Sequence, residues 1–237
     1  MSKSSLLKNH NGPNYLVPFI LLTSLFFLWG FAHGLLDVLN KHFQELLHVS
    51  RAESGLVQFS VYGGYFLAAL PAGYFMNRFG YKKGIILGLL LYAVGAFLFY
   101  PAALAQSFWP FLVALLIIAF GLAFLETAAN PYVSVLGPAE SAERRLNLSQ
   151  SFNGLGWIFG PLTGGLIIFG LQSSGENPFT SISWPYLGVG VVVLLVALFF
   201  FRTPFPEIKE EPLPGCADKN YSDLLKHPHF ILAVAAQ

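Results

Sequence analysis

Apolar positions in this chain neither alternate nor keep to one face of a helix; they run on, nearly unbroken, for about the 20 residues that a helix needs to cross a hydrocarbon core. Six such runs lie near residues 17–40, 54–76, 84–105, 108–134, 146–171 and 184–201. Each predicts a membrane-spanning helix, and the lack of two-residue alternation argues against spanning strands. The expected fold class is therefore an all-α polytopic membrane protein. Its predicted parts are a polar tail over 1–16, a six-helix bundle over 17–201 and a linker over 202–226, rich in Pro and mixed charge. Residues 227–237 turn apolar again, and nine residues from His229 bring the run to Gln237. Nine residues are too short to span, so this run is expected to be the start of a seventh helix in a longer protein. The alternative is a six-span chain with a short interfacial tail.

Composition supports the membrane reading. Of the 237 residues, 55% are hydrophobic and 11% charged, where a soluble domain carries about 25% charged residues. A net charge of +1 offers nothing to nucleic acid. The single cysteine, Cys216, excludes an internal disulfide. Among the 13 Lys and Arg residues, only Lys41 and Arg51 would lie outside if the N-terminus is cytosolic. The tail, Arg78, Lys82, Lys83, Arg144, Arg145, Arg202 and the linker would then be inside, so the positive-inside rule orients the chain N-in. The expected location is a bacterial-type inner membrane.

Polar residues inside these runs are the candidates for function. Glu126 stands in "AFGLAFLETAANPYVSVLG", Ala119 to Gly137, and a charge at membrane depth costs at least about 2.5–3.5 kcal/mol on the insertion scale. Asn130 lies four residues on, on the same helix face. Pro131 cannot donate to the Thr127 carbonyl, which is left for water or a ligand. A packing hydrogen bond between helices is the competing role for this patch. Asp37 lies late in the first run, with His33 before it and Lys41 after it, so pairing with Lys41 competes with an intramembrane role. His33 itself reads equally as a ligand, a proton partner or a packing residue. In the fifth run Asn147, Gln150 and Asn153 recur at threes and Trp157 follows. Amides and an indole suit a sugar, whose hydroxyls donate and accept while its ring carbons pack on aromatics. Asn147 reads rather as helix–helix glue, and Gln58 and Tyr62 are further lining candidates. "GWIFGPLTGG", Gly156 to Gly165, spaces small residues for close helix packing around Pro161. No nucleophile–base pair or metal-ligand cluster of plausible spacing is present, so neither an enzyme nor a cofactor or metal is expected.

The loop "GYFMNRFGYKKG" brings Gly73, Asn77, Arg78, Gly80 and Lys82 together between the second and third runs. It resembles the loop signature of the major facilitator superfamily, with Asn77 where an Asp is usual. "LETAANPYVSVLGP", "RLNLSQSFNGLG" and "SLFFLWGFAHGLLDVL" are similar to the fucose–galactose–glucose:proton symporter family, close to L-fucose permeases. The resemblance covers essentially the whole chain. It implies the six-helix N-terminal half of a twelve-helix transporter, built as two inverted three-helix repeats, with Asp37 and Glu126 as an ionisable pair. The family's Asn before that Asp is Leu36 here. The glycine–proline run resembles the superfamily's antiporter-associated motif.

The function expected from these readings is proton-coupled uptake of L-fucose or a related hexose by alternating access. Glu126 and Asp37 would couple the proton, and Asn130, Gln150, Asn153, His33, Gln58, Tyr62 and Trp157 would hold the sugar. The loop residues Gly73, Asn77, Arg78, Gly80 and Lys82 would gate at the cytosolic surface. The partners expected are sugar, proton, the lipid bilayer and a second six-helix half. A proton antiporter for a small non-sugar compound, or a non-transporting receptor or assembly subunit, is the alternative.

Overall fold

The computed structural model describes residues 7, 15–46, 50–173, 175, 177–205, 226–229 and 232. Most of the expected tail, linker and seventh-helix start, with Cys216, lies outside these residues. Six helices carry the six apolar runs: α1 (Leu16–Leu46), α2 (Arg51–Phe79), α3 (Tyr81–Ala105), α4 (Phe108–Val135), α5 (Ala142–Ser173) and α6 (Pro178–Arg202). A 3-10 turn, Ala139–Ser141, precedes α5.

Local chemistry sets the ends. α1 continues past residue 40 because Phe43 is fully buried, its ring 5.5 Å from that of Phe108 and 5.0 Å from that of Phe111. Ser50 caps α2 in a reciprocal box: its hydroxyl accepts from the Glu53 amide at 3.1 Å, and the Glu53 carboxylate accepts from the Ser50 amide at 2.8 Å. Gly80 alone separates α2 from α3; its φ of 89° lies where only glycine is unstrained, so the chain reverses in one residue. α6 starts earlier than the apolar run because Asn177 caps it and Pro178 opens it.

Five of these helices are long and apolar enough to cross a membrane by length and composition; α2 is not among them. With 29 residues it has the length, but Glu53, Gln58, Asn77 and Arg78 dilute its apolar character. Its expected span is thus a transmembrane-length helix of mixed composition, whose outward side still presents Phe59, Phe66, Leu67 and Leu70.

The helices pack chiefly as α1 on α5, α2 on α4, and α3 on both α4 and α6. Exchanging the first three helices for the last three turns the α1–α5 pair into α4–α2, as an internal repeat requires. The correspondence reaches single residues. Gly156 of α5 abuts Phe27, Gly30 and Phe31 of α1, whereas Gly64 of α2 abuts Leu116 and Ala119 of α4. One sequence offset carries Phe27 onto Leu116 and Gly30 onto Ala119, and it carries Asp37 onto Glu126.

Candidate functional site

Glu126 projects from α4 against α1. It shares a small cavity of about 10 Å³ with Leu25, Phe26, Trp29, Leu125, Ala129 and Asn130. Among the described residues no hydrogen bond or ion pair engages its carboxylate. Asn130, expected beside that carboxylate, instead donates from Nδ2 to the Glu126 backbone carbonyl at 3.3 Å. Its Oδ1 accepts from Gln150 Nε2 at 3.3 Å, which joins α4 to α5.

Asn153 is drawn partly into packing: Nδ2 donates to the Phe26 carbonyl of α1 at 3.1 Å. One turn earlier on α5, Ser149 meets Thr23 of α1, hydroxyl to hydroxyl, at 3.2 Å. The glycine–proline run serves the same seam. A Cβ on Gly160 would sit 2.6 Å from the Phe31 carbonyl, and one on Gly34 would sit 2.6 Å from the Pro161 ring. The backbones of α1 and α5 approach this closely only because both carry glycine there.

Beside Glu126, aromatic side chains gather around His33. Its ring centroid lies 5.4 Å from Trp157, 5.9 Å from Tyr65 and 6.0 Å from Trp29. His33 Nδ1 lies 3.0 Å from the Trp29 carbonyl; a carbonyl only accepts, so Nδ1 carries a hydrogen, and in the neutral ring Nε2 is the acceptor. Trp157 is 44% exposed and forms an outer wall of the cluster. The Tyr65 phenol lies within electrostatic reach of Glu126 and close to the Trp29 indole N–H, but the contact between the two rings' polar atoms falls short of hydrogen-bond geometry although both atoms are buried. Burying an unpaired donor is costly, so an indole N–H and a phenol O–H are available there beside an uncommitted carboxylate.

The structure brings together Glu126, Asn130, Gln150, Asn153, His33 and Trp157. It leaves others outside this cluster. Asp37 is exposed, two turns beyond Trp29 and so about 12 Å further along α1; it is within electrostatic reach of His33. Tyr62 is exposed on α2, with Gln58 half-buried one turn before it.

Next to the Gly80 turn, Lys82 in the first turn of α3 donates to carbonyls at the end of α6, Phe201 at 3.3 Å and the capping residue Thr203 at 2.8 Å. Arg78 is exposed, its Nη1 3.3 Å from the Tyr74 hydroxyl and its guanidinium over the Phe79 ring at 5.4 Å. Asn77 is exposed as well. Gly73 has nothing within 4 Å of where a Cβ would stand; within α2 the close approach is made by Gly64 instead.

Sequence reasoning missed three residues. Trp29 and Tyr65 sit in apolar runs as ordinary aromatics, and only their unpaired polar atoms mark them. Arg145, counted in the sequence only among the charges that orient the chain, is fully buried. Its guanidinium donates to the Val133 carbonyl at 3.1 Å, Ser134 at 2.8 Å, Pro138 at 2.9 Å and the Ser141 hydroxyl at 2.6 Å. It closes the C-terminus of the helix that carries Glu126.

Comparison with known proteins agrees with this architecture. The family model described as Major Facilitator Superfamily matches residues 18–236. The chain is 40% identical to an L-fucose-proton symporter of Escherichia coli (strain K12), over 94% of this chain and 56% of that protein. It is 36% identical to a glucose/galactose transporter of Brucella abortus, over 92% of this chain and 53% of that one. Among solved structures, the E. coli fucose:proton symporter superposes with a TM-score of 0.72 at 40% identity, covering 94% of this chain and 58% of that one. The chain thus spans about half the length of the curated relatives it matches.

Proposed function

The chain belongs to the Major Facilitator Superfamily, as the N-terminal six-helix half of that fold, and from that premise we propose that it is half of a proton-coupled symporter for L-fucose or a related hexose. The observation that carries the reading is the Glu126 carboxylate, which among the described residues has no hydrogen bond or ion pair and lies near the buried Trp29 indole and Tyr65 phenol. The similarity to L-fucose and glucose/galactose carriers supplies the substrate class.

Each group then has a chemical task. Trp157 and Trp29 offer flat apolar faces to a sugar ring, and the Trp29 N–H, the Asn130 and Gln150 amides and the free oxygen of Asn153 serve its hydroxyls. His33 supports Trp157 from behind. Charging Glu126 away from water is costly, and that cost falls when the site opens to water. Proton loss is thereby tied to opening, and closure favours the protonated, sugar-loaded form. Asp37 is the second ionisable group, acting further along α1 rather than in contact with Glu126. Gln58 and Tyr62 line the approach from α2. The protein is a carrier rather than an enzyme, set in an inner membrane with its N-terminus cytosolic, and a second six-helix half completes the cavity. Arg78, Asn77 and Gly73 are open at the cytosolic end for contacts with that half, while Gly80 and Lys82 hold the loop in place.

The glycine–proline run, which suggested the antiport alternative, packs α5 on α1 through Gly156, Gly160 and Gly164, and the similarity to sugar–proton symporters favours symport. Uptake of a hexose panel into proteoliposomes, with and without an inward proton gradient, tests the reading in the protein with both halves present. Glu126→Gln is expected to abolish proton-driven accumulation while sugar binding and exchange persist. Accumulation at the wild-type level with normal sugar affinity would remove Glu126 from the coupling.

A further inference from the structure

The chain does not leave the bundle where α6 ends. Thr203 caps that helix, its amide donating to the Phe199 carbonyl at 2.9 Å, and its φ of −80° and ψ of 129° turn the chain into extended backbone. Pro204 favours that conformation for the residue before it. The extended turn carries Phe205 back onto the bundle. Its ring stacks on Phe200 of α6, at 4.8 Å between centroids and 7° between planes, and lies 5.6 Å from the ring of Tyr132 of α4. Phe200 and Tyr132 are both buried, and Tyr132 stacks in turn on Tyr81, at the start of α3, at 6.1 Å.

Lys82 closes the arrangement from α3. The ammonium that donates to the Phe201 and Thr203 carbonyls also stands 6.0 Å from the centre of the Phe205 ring. A cation suits both contacts. The last carbonyls of a helix lack intrahelical donors and form the negative end of its dipole, and the face of an aromatic ring attracts positive charge. Backbone capping, charge and ring stacking thus hold three consecutive residues at once. Because α3 lies between α4 and α6 and packs on both, Phe205 carries the exit of α6 across to the end of α4.

We propose that Thr203, Pro204 and Phe205 form a strap that fastens the start of the linker to the bundle, so that the tether to the second half begins beyond Phe205. Taking three residues out of a free tether shortens its reach by about 10 Å. A pull on the tether then acts on α3, α4 and α6 together instead of fraying the last turn of α6. Tyr132 lies six residues after Glu126, about 9 Å along α4, so the strap bears on the helix that carries the carboxylate. The strap is made of contacts within this half and holds whatever the cargo; that the tether leads to a second half rests on the function proposed above.

The test uses the whole transporter in lipid, with its cytosolic face open to trypsin. Proteolysis and amide exchange both report local opening. In the wild type the Arg202–Thr203 bond is expected to resist cleavage, and the amides over Phe199–Thr203 to exchange slowly. Phe205→Ala removes two ring contacts and should speed both by about tenfold or more, with no change at Val191–Val193 in the middle of α6. Phe205→Tyr keeps the ring and should restore the wild-type rates. Unchanged rates in Phe205→Ala overturn the proposal, as does faster exchange spread evenly along α6, which marks general destabilisation. Ready cleavage after Arg202 in the wild type also overturns it, and that result stands even if the variant does not fold. Both readouts are local, so a failed hexose assay, which would overturn the proposed cargo, leaves them unaffected.

Discussion

At the residue scale the strongest commitment in the molecule is Arg145. Helix α4 ends with carbonyls that have no intrahelical donor, and this guanidinium reaches two of them, the Pro138 carbonyl and the Ser141 hydroxyl together. A cation at a helix C-terminus also opposes the negative end of the helix dipole. Losing hydrogen bonds made by a charged group costs about 1.5–3 kcal/mol each, and the losses are not additive. Arg145→Gln is accordingly expected to lower stability by about 3 kcal/mol or more, measured by thermal unfolding in detergent. Its exposed neighbour is the control: Arg144→Gln is expected to stay within about 0.5 kcal/mol of wild type. Equal effects at the two positions would contradict the capping role. Glu126 is the opposite case: among the described residues its carboxylate has no hydrogen bond or ion pair, and that difference separates a structural charge from a group left to act on a ligand.

At the scale of elements, the seam between α1 and α5 depends on missing side chains. Gly160→Val places methyl groups where the Phe31 carbonyl and the α1 backbone already lie. It is expected to reduce the yield of folded protein sharply and to lower the unfolding midpoint. Gly73→Val meets nothing within 4 Å inside this half, so its cost is limited to about 0.5 kcal/mol. Comparing the two by fluorescence size-exclusion chromatography checks the assignment, and similar losses would show that sequence spacing alone had identified the packing glycines. The start of α2 gives a pH dependence. The Ser50 backbone N–H, then its hydroxyl, hold the Glu53 carboxyl below its ordinary value. A depressed carboxylate stabilises the cap above its unfolded pKa, about 4.3, and that contribution fades as pH falls through the folded value. Amide exchange over Ser50–Ser54 is therefore expected to quicken below about pH 4 relative to the centre of α2, and Glu53→Gln should blunt the change.

At the scale of the whole molecule, large apolar side chains cover the outside of α2 and α5, among them Phe66, Leu70, Ile158 and Leu166. Lipid satisfies part of that surface; in the proposed transporter the second half covers the rest. Co-expression of this chain with the second half of the proposed transporter is expected to give hexose uptake, and this chain alone to give none; uptake by the isolated chain would refute the half-transporter proposal. The number and place of the helices were legible in the sequence because only long apolar runs satisfy the backbone in lipid without water. The motif in "LETAANP" likewise pointed to Glu126, since an acid in such a run stands out against its neighbours. Sequence could not tell that Asn130 and Asn153 spend their amides on backbone carbonyls, that Trp29 and Tyr65 hold unpaired polar atoms, or that Arg145 is buried. Nor did it reveal that Asp37 and Glu126 occupy equivalent places in the two three-helix units, because the repeat is kept in which backbones touch, at Gly156 on α1 and Gly64 on α4, and hardly in the residues themselves. Which segments form long apolar helices follows from transfer energies that each segment carries alone, so the sequence by itself determined that. Which polar atoms are satisfied, and which are left for a ligand, depends on what the neighbouring helix presents, and only the tertiary structure decided that.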